Sequence, residues 1–101
     1  MVKHIILWTL KSELNEKEKE KVKREIKEGL ESLKEKIPGL IDIKVNAEGR
    51  LNSSNADLML DYTFENQESL KAYSKHPCHV AVADSKVRPF TKERTCLDFE
   101  L

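Results

Sequence analysis

The sequence predicts an α+β sandwich in the order βαββαβ: a four-stranded antiparallel sheet with its helices on one face. Three observations lead there. Runs of β-branched and aromatic residues occur near both ends of the chain and twice in between. One long amphipathic helix separates the first two runs, and a second helical segment, broken at His76-Pro77, separates the last two. With 101 residues and 11.7 kDa, positions 1–101 make a single domain.

The first strand, Val2 to Leu10, places Val2, His4, Ile6, Trp8 and Leu10 on one face and Ile5, Leu7 and Thr9 on the other. Both faces are substantially apolar, so the strand needs two covers. Helices supply one. A second copy of the chain packing sheet against sheet about a two-fold axis supplies the other, and a homodimer is expected.

Between Lys11 and Lys36 lie nine Lys+Arg and eight Glu, the solvated face of a long helix. Val22, Ile26, Leu30, Leu33 and Ile37 recur at intervals of 4, 4, 3 and 4 and form its apolar stripe. Asn15 with Glu18 makes a capping pair at its start, and Pro38-Gly39 stops it. Gly29 falls on the stripe side, where it lets the helix approach the sheet.

Leu40 to Glu48 alternates Ile41, Ile43, Val45 and Ala47 against Asp42, Lys44, Asn46 and Glu48, a half-buried strand. After a polar turn from Gly49 to Asn55, Ala56 to Phe64 forms a third strand with Leu58, Leu60, Tyr62 and Phe64 on one face. The broken helical segment starts near Asn66 and ends before Arg88-Pro89. Thr95 to Leu101 closes the sheet, with Leu97, Phe99 and Leu101 on one face. In this order and with these lengths the sandwich is ferredoxin-like.

Eighteen Lys+Arg balance eighteen Asp+Glu, and with 39% hydrophobic and 36% charged residues the chain is globular with a solvated surface. The neutral balance removes the electrostatic basis for binding nucleic acid. Leu58 to Phe64 also lacks the basic, glycine-containing, multi-aromatic pattern of an RNA-recognition strand. No run approaches a membrane span, and Met1 to Leu10 is too short for a signal sequence. Cys78 and Cys96 form no disulfide framework, so a reduced, cytoplasmic setting is expected. No Rossmann glycine pattern, P-loop, serine elbow or HExxH is present.

The opening Val2-Lys3-His4-Ile5-Ile6-Leu7, the turn Ile37-Pro38-Gly39-Leu40, the segment Asn55-Ala56-Asp57-Leu58 and above all Tyr73 with His76-Pro77-Cys78-His79-Val80 resemble the stress-responsive dimeric A/B barrel (Dabb) family over essentially the whole chain. The resemblance implies a ferredoxin-like protomer whose sheets associate in a dimeric α/β barrel. Most members have no established reaction. A plant polyketide cyclase that looks like this closes a linear polyketide by aldol chemistry without a cofactor; its catalytic tyrosine and histidine match Tyr73 and His79, and its early histidine matches His4. Its cavity uses bulky aromatics on the first helix where this chain offers Ile26 and Leu30, so the plant substrate does not carry over.

Two functional expectations follow. One is a small apolar or carbonyl-bearing ligand held between sheet and helices by His4, Ile6, Trp8, Ile26, Leu30, Leu60, Tyr62, Tyr73 and His79. The other is a cofactor-independent, polyketide-cyclase-like lyase or isomerase in the same cavity. There an imidazole takes a proton α to a carbonyl and a phenol hydrogen-bonds the enolate oxygen, with Tyr73 and His79 the catalytic pair. A bland role competes with both: His76 and His79 capping backbone around the helix break, and Tyr73 a core aromatic. His76, Cys78 and His79 lack a further pair to complete a metal site, so no metal and no cofactor is expected. Cys96 reads as packing, and Trp8 is large enough to leave the cavity small.

Overall fold

A computed structural model describes residues 1–101. The inner face of the first strand, β1 (Val2–Leu10), is buried at Val2, His4, Ile6, Trp8 and Leu10. It pairs antiparallel with β3 (Leu58–Phe64) on one side and β4 (Thr91–Glu100) on the other, while β2 (Leu40–Asn46) pairs with β3. The sheet order is β2-β3-β1-β4. Helix α1 (Glu16–Glu31) packs on β2 and α2 (Gln67–Tyr73) on β1 and β3, and the core lies between that helical layer and the three strands. Helix α3 (Pro77–Val82) runs into a π-helical turn, Ala83–Val87, that rests on α1. This is the ferredoxin-like fold, with its second helical segment divided. No helix is long and apolar enough to cross a membrane.

The capping pair forms as the spacing requires. The Asn15 side chain accepts from the Glu18 N–H at 2.9 Å, and the Glu18 carboxylate accepts from the Asn15 N–H at 3.0 Å. The helix ends earlier than its stripe. Ser32 caps it and bonds the Gly29 carbonyl through its hydroxyl at 2.6 Å, and tight turns with hydrogen bonds from Leu33 to Leu30 and Lys36 to Leu33 carry Leu33 and Ile37 into the core.

Three further readings are corrected. A bulge at Ile41, where β2 runs two residues against one of β3, turns that side chain out, so the alternation from Ile41 fails at its first member. Gly29 serves a helix contact: a Cβ there would lie 3.1 Å from Val82 Cγ1. The charges of α1 are not all solvated, since Lys27 donates to the Val45 carbonyl at 2.9 Å and Glu31 accepts from the Val45 N–H at 3.1 Å. Those two side chains occupy the open edge of β2, which would otherwise offer a free ladder.

Gly39 turns the chain from the α1 side into β2 at φ 79°, its carbonyl accepts from the Glu65 N–H, and an added Cβ would overlap the Ser69 side chain. Gly49 has a similar φ of 73° with open space around it. Gly39→Ala is expected to lose roughly 2–4 kcal/mol from left-handed strain plus overpacking, and Gly49→Ala only about 1–2 from strain. Urea denaturation of both variants reads the difference; equal losses would remove the role of Ser69.

Candidate functional site

No helix packs substantially against β4, and between its inner face, β1 and the α2–α3 segment lies a cavity of about 730 Å³. Trp8 does not fill this space as its size suggests: it is buried in the wall, and the cavity is large enough for a small organic ligand. His4, Ile6, Trp8, Leu30, Leu60, Tyr73 and His79 all reach it. Ile26 and Tyr62, expected on the wall, do not: both are fully buried behind it, Ile26 under α1 and Tyr62 beneath Tyr73.

The break at Pro77 sets the histidines. His76 caps α3, its Nδ1 accepting from the Cys78 N–H at 3.1 Å, and Pro77 takes the first helical position, where no N–H is needed. One turn on, His79 faces inward and packs on Tyr73 with ring centroids 4.1 Å apart. The capping role foreseen for both histidines therefore falls to His76 alone. His79 Nδ1 is buried without a partner, as is the Tyr62 hydroxyl.

Tyr73 is the hub of the buried aromatic set. Its ring meets Tyr62 at 5.0 Å, Phe64 at 5.1 Å and, edge-on, His4 at 5.6 Å. Burial pushes the Tyr73 and Tyr62 phenols above their ordinary value. It lowers His79 to about 4, with the charges of Arg88, His4 and Arg94 adding to the effect and Asp84 opposing it. At neutral pH the pair facing the cavity is thus an uncharged phenol and an uncharged imidazole.

On the β4 side, His4 Nδ1 is bonded to the Asp98 carboxylate across the β1–β4 ladder, where the two residues stand in register. The Cys96 thiol lies 3.7 Å from the same nitrogen and 3.5 Å from the Asp98 oxygen. Burial, then its contact with Asp98, raises the Cys96 thiol. Neither Asp98 nor Arg94 was foreseen, and Cys96 is not the packing residue expected. Alternation in the last strand could have placed all three opposite Leu97 and Phe99, but the register that brings them to His4 is a long-range fact.

The four-stranded antiparallel sheet and its helical layer define the class, a ferredoxin-like α+β protein. The chain belongs to the stress responsive A/B barrel (Dabb) domain family, whose model matches residues 2–101. A dimeric protein of unknown function and ferredoxin-like fold from Bacteroides fragilis is 31% identical, with a TM-score of 0.90 over 99% of this chain and 95% of that one. A Dabb family protein from Mesorhizobium loti is 19% identical with a TM-score of 0.76, covering 99% and 95%. The hydroxynitrile lyase of Passiflora edulis is 17% identical with a TM-score of 0.76, covering 97% and 90%. No curated protein matches in sequence.

Because His79 refuses a proton in the fold that it accepts when unfolded, its contribution to stability is whole above its ordinary pKa of 6.5 and is lost as pH falls toward about 4. His79→Phe, which also removes an orphan nitrogen, should melt no lower than the wild type at pH 7 and gain on it steadily between pH 6.5 and pH 4. Melts of both proteins across that range test this, and a constant difference would contradict the burial of His79.

Proposed function

We propose that this protein binds a small, largely apolar molecule bearing a carbonyl group in the cavity between β1, β4 and the α2–α3 segment. The reading is supported by Tyr73 and His79 in contact on the wall of a 730 Å³ space whose β1 and helix side carries Ile6, Trp8, Leu60 and Leu70, with the charged residues confined to its rim and its β4 side. An uncharged phenol is a hydrogen-bond donor suited to a neutral oxygen, and an uncharged imidazole needs no counter-ion from the ligand.

The same contact favours a second reading, a cofactor-independent lyase or isomerase. In this reading a carbonyl oxygen meets the Tyr73 hydroxyl, His79 accepts a proton from the adjacent carbon, and the phenol stabilises the enolate oxygen. That the fold carries lyase chemistry in the Passiflora edulis protein is compatible with this and adds no residue assignment.

Ketone α-proton exchange in D2O separates the readings. Acetophenone and phenylacetone are expected to bind and to exchange faster than in buffer, with Tyr73→Phe losing roughly 100-fold of the acceleration. Binding without exchange would leave a binding protein and remove the lyase reading, and absence of binding by any small carbonyl compound would remove both.

We further infer a homodimer through the outer face of the sheet. Ile5, Leu7, Leu97 and Phe99 share that face of β1 and β4, Ile5 directly opposite Leu97, with Leu97 62% exposed, and the Bacteroides fragilis relative is dimeric. Light scattering should give twice 11.7 kDa, and Leu97→Glu should halve it; a wild-type monomer at micromolar concentration would overturn the assembly.

A further inference from the structure

The chemistry above leaves one cluster unused: His4, Cys96 and Asp98, whose ligating atoms all lie within 4.8 Å of one another on the inner side of the β1–β4 ladder. We propose that these three side chains form a binding site for a zinc-like divalent ion, with one coordination position left open. The site shares the cavity wall through His4 and Asp98 but uses neither Tyr73 nor His79, and so goes beyond the carbonyl reading.

The distances carry the proposal. Zinc sits about 2.3 Å from sulfur and about 2.0–2.2 Å from nitrogen or carboxylate oxygen, so neighbouring corners of its tetrahedron are about 3.6 Å apart between sulfur and either lighter atom. Cys96 Sγ stands 3.7 Å from His4 Nδ1 and 3.5 Å from Asp98 Oδ1, so two of the three edges already have that length. The third is closed by the His4–Asp98 hydrogen bond. It opens when the ion takes the place of the bridging proton, a movement open to Asp98 on the exposed inner face of β4.

Charge points the same way. A thiolate and a carboxylate balance a 2+ ion with a neutral imidazole as third donor. One nitrogen, one sulfur and one oxygen select a borderline ion such as zinc or cobalt over magnesium or calcium, which require oxygen donors. His4 is also well held: it is 5% exposed and packed between the rings of Tyr62 and Tyr73, so its Nδ1 is presented in one position.

Cobalt titration of the reduced, chelator-stripped protein tests the site. One equivalent per chain should produce a thiolate-to-cobalt charge-transfer band in the near ultraviolet and the intense visible bands of four-coordinate cobalt, and zinc should abolish both. Cys96 is exposed, so Cys96→Ala should keep the fold by circular dichroism. It should lose the charge-transfer band and weaken zinc by more than the roughly 10–100-fold expected of a supporting residue. Cys78→Ala should change neither. A cobalt spectrum without a thiolate band, a band that survives Cys96→Ala, or one that disappears with Cys78→Ala would overturn the proposal.

Discussion

The helical layer of this protein covers three of its four strands, and most of what is distinctive about the molecule follows from that. α1 is held over β2 by Lys27 and Glu31, which bond the Val45 backbone, and by the stripe of Val22, Ile26 and Leu30. α2 sits over β1 and β3. The inner face of β4 therefore has no helix against it, and it carries Arg94, Cys96, Asp98 and Glu100 where a covered strand would carry aliphatic residues. Burying that row under a helix would leave charges unpaired in the core. With the row uncovered, the same charges become cavity lining, and the boundary between dry core and polar strand runs along β1.

His4 stands on that boundary. On one side it contacts the tyrosine rings of the core, and on the other it is bonded to Asp98. A buried imidazole with a carboxylate at one nitrogen has its ring orientation fixed, and here that orientation also sets the edge on which Tyr73 rests. The aromatic set passes from His4 through Tyr73 to His79, so a residue of the first strand and one of the third helix are linked through a single phenol ring. Substitutions at Tyr73 accordingly report on both ends of the cavity.

Much of this architecture was legible in the sequence. The order of the elements, the Asn15–Glu18 cap, the Pro38-Gly39 turn and the break at Pro77 are local features, specified within a few residues, and each formed, although the last strand begins at Thr91 rather than Thr95. What escaped depends on partners distant in sequence. The bulge at Ile41 reflects how β2 meets β3, Gly29 answers to Val82, and the helix end at Glu31 is tied to the edge of β2. The candidate site divides in the same way. Tyr73 and His79 are six residues apart and came together on one broken helix, whereas Asp98 lies 94 residues from His4 and joined it only through the pairing of the outermost strand.

The two faces of β4 then explain each other. Strict alternation puts Leu97 and Phe99 on the outer side because Cys96 and Asp98 occupy the inner one, and a slip of one residue in the β1–β4 register would exchange the two sets. Such a slip would press Leu97 and Phe99 into the cavity and present Cys96 and Asp98 to the face inferred to meet a second copy. The His4–Asp98 bond and the outer apolar row therefore select the same register from opposite sides of the sheet. An edge strand with no buried side chain is otherwise weakly held to its position. The candidate cavity and the outer apolar row depend on one alignment, and the polar cluster on the inner face is part of what fixes it.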